Sequence, residues 1–332
     1  MNRMKTKRDE PDKPLISILM AVYEPRMDWL REQLKSLEAQ SYPHLALYVR
    51  DDCSPSVPYD DICRCVGECI HSFPYEIKRN EKNLGSNLTF ERLTKEAEGE
   101  YFAYCDQDDV WLPEKLEVLY NAIESEGAQL VCSDMFIIDE NGRQVADSIT
   151  KARKHHVFRS GEGLAPKLLI SNFVTGCAML IRADTARQAV PFCPYMVHDH
   201  YLGLYSAREG KVVSLRDNLI RYRIHSGNQT LMMSGVVDKE SYYNERIVKL
   251  LYRLEWLERA FRDSEALHQE IVKAVVWAKA RKANFNREKG TRKDLLKYWR
   301  FSPWTSLFEA VAAAWPERLF MFFIEIKRNN IV

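Results

Sequence analysis

The sequence predicts an α/β fold: a largely parallel, mixed sheet flanked by helices, with a helical extension at its C-terminal end. Three observations carry this. Between residues 14 and about 135, short apolar runs alternate with segments of helical apolar spacing, the order expected of parallel strands covered on both faces. One run, Tyr101 to Cys105, ends abruptly in Asp106-Gln107-Asp108-Asp109, which puts charge at a strand tip, where ligands of open α/β sheets bind. From about 239 onward the apolar spacing is helical throughout.

The elements follow in order. Residues 1–13 are polar and charged and are expected to form a disordered lead. Leu15–Val22 is a continuous apolar run, as for a strand buried on both faces. Trp29, Leu30, Leu34 and Leu37 mark one face of a helix, and Ser41-Tyr-Pro43 turns the chain into a strand at Leu45–Val49. A helix near 58–72, a strand near 75–79, a helix near 87–97 and a strand at 100–105 continue the alternation. Pro113 suits the first turn of a helix over 113–126, which Gly127 stops. Leu130–Cys132 reads as a strand and Asn141-Gly142 as a hairpin turn. Val174–Ile181 reads as a strand, Tyr201–Arg208 as a short helix, and Val212–Leu215 and Leu219–Ile224 as two late strands. The expected organisation is therefore a lead (1–13), an α/β domain (14–235) and a helical region (236–332).

The 332 residues suffice for a sizeable core, and the net charge of +1 gives no global field for nucleic acid. No export signal or membrane-spanning run is visible, so a cytoplasmic protein with reduced thiols is expected. Of the eight cysteines, Cys63, Cys65 and Cys69 cluster without zinc-ligand spacing. With Ile62, Val66 and Ile70 they fit the apolar face of a helix.

The candidate chemistry sits at the strand tips. Asp106, Asp108 and Asp109 repel one another unless solvent or a cation intervenes. Hard divalent cations such as Mg²⁺ or Mn²⁺ take oxygen ligands and share them readily with phosphate. The plain alternative is an acidic loop at the positive end of the next helix. Strand one ends in Tyr23-Glu24 and strand two in Asp51-Asp52, with no dinucleotide fingerprint or P-loop. Tyr23 can stack on a base. A carboxylate only accepts hydrogen bonds, so Asp52 suits the N3–H of uracil or thymine and not cytosine. A turn role explains the Asp pair equally well. Asn83 and Gly85 can approach ribose or phosphate, or merely enter a capped helix. His198-Asp199 opens a short helix, where Asp199 could be a general base or a cap. His225 could join Asp108 on a metal, and Arg223 could face phosphate.

Taken in order, Leu19-Met-Ala-Val-Tyr23, Gln40-Ser-Tyr-Pro43, Asp51-Asp-Cys-Ser54, Lys82-Asn-Leu-Gly85, Asp106-Gln-Asp-Asp-Val-Trp111, His198-Asp199 and Tyr222-Arg-Ile-His225 strongly resemble family 2 glycosyltransferases, inverting enzymes of the GT-A fold. Within them the chain resembles the bacterial branch rich in rhamnosyltransferases of surface-polysaccharide assembly. The resemblance covers about 15–230. It implies a nucleotide-diphosphate sugar donor, a glycan acceptor and a divalent cation, Mn²⁺ or Mg²⁺. It implies nucleotide contacts from Tyr23, Glu24, Asp52, Asn83, Gly85 and Asp106, metal ligation by Asp108 and His225, and Asp199 as catalytic base. Asp109, Trp111, His198 and Arg223 would contact phosphate or acceptor; His198 stands where many members have Glu. A sugar nucleotidyltransferase, or a non-catalytic nucleotide-sugar-binding protein, is the alternative reading.

The tail adds one more expectation. Residues 273–300 carry ten Lys or Arg against Glu288 and Asp294, a local charge of +8, followed by aromatic and aliphatic residues from Trp299 to Phe323. Such a mixture suits peripheral binding to an anionic surface at the inner face of the plasma membrane, near a polyprenyl-linked acceptor. It equally suits packing on the α/β domain or on a second subunit as a homodimer.

Overall fold

The computed structural model describes residues 13–153, 156–225, 227 and 235–329. The expected lead, apart from Lys13, lies outside them. The first half alternates as the apolar runs require: β1 (Ile16–Val22), α1 (Met27–Glu38), β2 (Leu45–Asp51), α2 (Tyr59–Cys69), β3 (Tyr75–Arg79), α3 (Ser86–Glu96), β4 (Tyr101–Cys105), β5 (Val110–Trp111), α4 (Lys115–Ser125), β6 (Leu130–Ile138) and β7 (Gln144–Ala146). Next come α5 (Ile149–Ala152), α6 (Ala165–Leu168), β8 (Met179–Arg182), α7 (Ala183–Gln188), α8 (His198–Glu209) and β9 (Val212–Arg223). The C-terminal part is helical: α9 (Lys239–Tyr242), α10 (Lys249–Ala260), α11 (Glu265–Phe285), α12 (Arg292–Lys297), α13 (Pro303–Ala312) and α14 (Glu317–Asn329).

The strands form one sheet in the order β3-β2-β1-β4-β8-β6-β9-β5, with β7 paired to β6. β1, β2, β3 and β4 are mutually parallel; β8 runs antiparallel between β4 and β6, and β9 is parallel to β6. Six strands (β1, β2, β3, β4, β6 and β9) therefore point the same way, and their C-terminal ends share one edge. In register, Val22 faces Asp51 and Met20 faces Cys105, so the polar tips begin at one level. β1 is buried on both faces because helices cover both. Ile16, Ile18 and Met20 pack with Leu30, Leu34 and Leu37 of α1, while Leu19 packs with Phe90 and Leu93 of α3.

Four expectations are corrected. The strand expected at 130–132 runs on to Ile138, because the polar Asp134 within it is satisfied locally, accepting from the N–H of Met135 (2.7 Å) and of Ile149 (3.0 Å). The two late strands are one strand, β9, whose solvent-facing Arg216 and Asp217 interrupt the apolar pattern and lie where the pairing with β6 shifts register, without ending the strand. The strand expected from Val174 starts only at Met179, after a 3₁₀ turn at Gly176–Ala178. The helix expected at Tyr201 starts at His198, which puts Asp199 in its first turn.

The cysteines are free thiols, with Cys65 and Cys69 buried in the core against α1. Helices α10 and α11 share the main core: Leu254, Leu257, Ile271 and Ala274 pack in one cluster with Leu19, Phe90 and Leu204. Among the described residues no helix is long and apolar enough to cross a membrane.

Candidate active site

The shared sheet edge gathers the tips of β1, β2, β4 and β9 and the start of α8. Tyr23 follows β1 with its side chain 43% exposed. Its backbone is held from both sides by Gln107: the Tyr23 N–H donates to Oε1 (2.8 Å) and Nε2 donates to the Tyr23 carbonyl (3.0 Å). Gln107 thus ties the first strand tip to the acidic motif and leaves the ring open to solvent. Glu24 has φ +45° and accepts from the N–H of Ser56 (2.7 Å), so its carboxylate braces the loop after β2.

Asp52 is buried and faces the loop after β3. Its Oδ1 accepts from Asn80 Nδ2 and the Leu84 N–H, and its Oδ2 from the Gly85 N–H, all at 2.8 Å. A carboxylate has about four acceptor positions, so roughly one remains for a ligand. Asn83 Oδ1 also accepts from the Gly85 N–H, at 3.0 Å. Gly85 has φ +81°, a backbone region other residues rarely adopt, and a side chain there would meet open space. The loop therefore presents bare backbone to the cleft edge.

The acidic motif divides into roles. Asp108 meets the end of β9: its Oδ2 lies 2.6 Å from His225 Nε2, both side chains remaining partly accessible. The imidazole rests against the Trp29 ring, with centroids 4.9 Å apart. Asp106, with burial first and then the Asp108 and Asp199 carboxylates disfavouring its charge, titrates near 7. Asp109 is fully buried. Its Oδ1 accepts from the Arg223 N–H (2.9 Å), while its Oδ2 makes no hydrogen bond of ordinary geometry. Burial, reinforced by Asp108 and Asp106, raises its pKa well above the usual carboxylate range.

Beneath this motif lies Lys115, also fully buried, whose Nζ donates to the Cys177 carbonyl (2.5 Å). Burial lowers its pKa to about 7, against the pull of Asp109 and Asp106. Its Nζ lies 3.0 Å from the centroid of the Trp111 ring. Trp111 was expected as a ligand contact; it is instead a core residue, 2% exposed, with its backbone N–H donating to Ser36 Oγ. Arg223 was expected to face phosphate. Its guanidinium instead latches the site's frame, donating from Nε to the Asp108 carbonyl (2.8 Å) and from Nη2 to Glu32 (2.6 Å), close to the carbonyls of Asp139 and Glu140.

Asp199 completes the cleft from the first turn of α8. Its Oδ1 accepts from Asn172 Nδ2 (3.1 Å) and its Oδ2 from the Gly176 N–H (3.0 Å), so the group is aimed by one contact on each oxygen. Burial outweighs these contacts and raises its pKa to about 6, a value suited to a base at neutral pH. His198 lies between Phe90 and Tyr104, at 4.1 and 5.4 Å between ring centroids. Burial drives its pKa down to about 3, so it is neutral, and its Nε2 has no partner among the described residues. A Cβ on Gly176 would come within 2.7 Å of that nitrogen, so glycine is what lets the 3₁₀ turn approach α8.

Gln107, Lys115, Asn172, Gly176 and Cys177 were not expected from the sequence. Gln107 stood inside the quoted motif; the other four come together only through the turn after residue 172 and the helix after β5. One ligand atom each from Asp106, Asp109 and Cys177 lie within 4.8 Å of one another. The Cys177 thiol, pushed up by burial and the two carboxylates, stays protonated and is no ligand for a hard cation. The carboxylates of Asp106 and Asp108, with His225 beside Asp108, form an oxygen-rich set that fits a hard divalent cation.

Residues 17–187, more than half of the chain, match the model of the glycosyl transferase family 2 domain. The chain belongs to that family. Among similar proteins, an uncharacterised glycosyltransferase of Methanocaldococcus jannaschii is 30% identical over 139 residues, 40% of this chain and 46% of that protein. The putative teichuronic acid biosynthesis glycosyltransferase TuaG of Bacillus subtilis is 32% identical over 107 residues, 32% of this chain and 40% of that protein. The chain thus spans less than half the length of either relative. Among solved structures, residues 1–349 of S. aureus TarS in complex with UDP-GlcNAc superpose with a TM-score of 0.56 at 16% identity, over 86% of this chain and 89% of that one. That likeness establishes the GT-A-type fold of this glycosyltransferase. Asp199 and His225 fall beyond the matched family residues, so their place in the site rests on geometry.

Proposed function

We propose that the protein is an inverting, cation-dependent glycosyltransferase. It would move a sugar from a uridine- or thymidine-diphosphate donor to a hydroxyl of a glycan acceptor in bacterial surface-polysaccharide synthesis. The observation that carries this is the convergence of Asp106, Asp108 and Asp199 on one sheet edge, where Asp199 is aimed by Asn172 and Gly176 and titrates near 6. TarS binds UDP-GlcNAc on a similar fold, which supports a nucleotide-sugar donor. The rhamnosyl-like branch suggests a deoxyhexose as the sugar.

In this reading Tyr23 stacks on the base. Asp52 accepts from its N3–H with the acceptor position its loop contacts leave. Asn83 and the bare backbone at Gly85 pass beside the ribose, with Glu24 bracing the turn between them. Asp106, Asp108 and His225 would hold the divalent cation, which when bound stabilises negative charge on the leaving diphosphate. Asp109 and Arg223 fix the frame from which Asp108 projects. Asp199 removes the proton of the acceptor hydroxyl as that oxygen attacks the anomeric carbon. The sugar–phosphate bond breaks on the opposite side, so the configuration inverts. His198, neutral and with Nε2 unpartnered among the described residues, lines the wall beside Asp199.

Incubating the protein with uridine-, thymidine-, cytidine- and guanosine-diphosphate sugars, with Mn²⁺ or with excess chelator, tests this. The expected result is slow, cation-dependent release of nucleoside diphosphate from uridine or thymidine donors. Release from no donor, or full release in chelator, overturns the proposal.

A further inference from the structure

The aromatic tail splits into two sets. One set is internal: Tyr242, Phe308 and Phe320 pack edge to face around Ala312 and Ile324, and Leu295 packs on Trp277. This packing accounts for Phe285, Phe301, Phe308, Trp315 and Phe320. It leaves a second set outside. On α13, Trp304, Leu307 and Val311 form an exposed stripe at helical spacing, with Trp304 83% exposed. On α14, Leu319, Phe322, Phe323 and Ile326 form another, opposite the buried Phe320 and Ile324, with Phe322 56% exposed. α14 is apolar on the inside and again on the outside, and α13 turns Ser306 and Glu309 inward while its exposed face is apolar, whereas a helix on a soluble surface turns polar outward. Exposed apolar stripes rimmed by charged residues mark interaction sites.

The rim of the patch is basic. Helix α12 lies beside α13, since its Leu295 shares a cluster with Ala310. It exposes Arg292, Lys293 and Lys297, which form no ion pair among the described residues, against a single exposed carboxylate, Asp294. Arg281, counted as part of the basic stretch in the sequence, does not belong to this rim: it is buried against Glu309. Lys273 and Arg300 both pair with Glu270. The acidic residues exposed on α14 are Glu317 and Glu325.

We propose that the outer face of α12–α14 lies on an anionic lipid surface, with Trp304, Phe322 and Phe323 at the headgroup level and the α12 cations over the phosphates. Aromatic rings at the interface flanked by Lys and Arg are the pattern such docking requires. A second copy of the chain is the weaker occupant. A two-fold interface opposes the patch to a copy of itself, and the exposed Arg292, Lys293, Lys297 and Arg318 outnumber Asp294, Glu317 and Glu325, so cations would be left unmatched where lipid phosphates would match them. The placement also suits the fold. Val236 and Tyr242 pack in the same cluster as Phe320 and Ile324. Val236 is eleven residues past His225, a span of at most about 40 Å. His225 at the cleft therefore lies within about 40 Å of Val236 in the cluster that carries the patch.

The test is co-sedimentation of the full chain with phosphatidylglycerol-containing vesicles and with pure phosphatidylcholine vesicles, at about 0.05 M and about 0.5 M salt. It needs no donor sugar and so is independent of the transfer reaction. The expected result is binding to anionic vesicles only, weakened by salt. Combined Arg292→Gln, Lys293→Gln and Lys297→Gln should weaken partition on the order of 100-fold. Trp304→Ser with Phe322→Ser should abolish it without lowering the melting temperature, since both side chains are exposed. Failure to bind anionic vesicles overturns the proposal, as does binding that neither set of substitutions weakens. A stable lipid-free dimer that Trp304→Ser with Phe322→Ser dissociates also overturns it and assigns the patch to a second copy.

Discussion

The cleft and the helical extension both bury charge, and they treat it in opposite ways. In the extension, Arg281 and Glu309 are almost wholly buried and fully matched. Glu309 Oε2 accepts from Arg281 Nε (2.7 Å), Oε1 accepts from Arg281 Nη2 (2.5 Å) and the Tyr242 hydroxyl (2.8 Å), and the Glu309 carbonyl accepts from Asn284 (2.8 Å). In the cleft, Asp109 Oδ2 and His198 Nε2 are buried with no hydrogen bond of ordinary geometry among the described residues, and Asp106 and Asp199 titrate near 7 and 6. Matched charge holds two helices in one register. Unmatched charge costs stability, which a fold tolerates where a ligand or a proton transfer completes the set. The difference teaches which buried groups to treat as frame and which as chemistry.

Breaking the matched set should give the largest effect on folding. Glu309→Ala strands the Arg281 guanidinium in the core and should destabilise by about 3–5 kcal/mol in urea unfolding, with turnover per folded molecule little changed. A loss under about 1 kcal/mol would mean the network is not holding the extension. Disturbing the unmatched set should act on ligands instead. Asp108→Ala and His225→Ala should each weaken Mn²⁺-dependent uridine diphosphate binding on the order of 10–100-fold by calorimetry, the range for groups that hold or orient a metal. Binding measured in chelator should not change; an equal loss there would remove both residues from the cation.

A smaller effect sharpens the comparison through pH. Burial raises the Asp199 pKa to about 6 from an ordinary 3.8, so the folded state binds this proton more tightly than the unfolded chain. The stability this contributes is present below about pH 4 and is lost as pH rises to about 6. Asp199→Asn carries no charge and should exceed wild type by about 1–3 kcal/mol at pH 8. The advantage should vanish near pH 4. Equal stability at both values would show that the burial of Asp199 does not disfavour its charge.

Much of this was legible before the structure. The apolar run Leu15–Val22 reads as a strand covered on both faces, and the three carboxylates after Cys105 read as a strand tip, because neither pattern suits another location. What escaped the sequence depends on contacts between distant segments. The two-residue β5 carries no period at all, yet it pairs with β9 and brings Arg223 against Asp109. Trp111, adjacent to the acidic motif, suggested a cleft wall; α4 folds back so that Lys115 covers its ring, and the pair becomes core. Cys177 and Gly176 sat in an apolar run that reads as strand, and only the 3₁₀ turn carries them to Asp106 and Asp199. In the tail, helical spacing alone could not divide inner rings from outer ones, because α14 is apolar on both sides and α13 buries Ser306 and Glu309 while exposing Trp304 and Leu307.

The central claim is that the buried Asp199 carboxylate is the base of a glycosyl transfer. The measurement that tests it most directly compares wild type with Asp199→Asn, following nucleoside diphosphate release at pH 7.5 alongside nucleotide affinity. The account predicts a fall in transfer of roughly 100-fold or more with affinity preserved, and a wild-type rate that declines as pH drops through about 6. Near-normal turnover by the Asn variant, or a wild-type rate indifferent to pH between about 5 and 7, would contradict it.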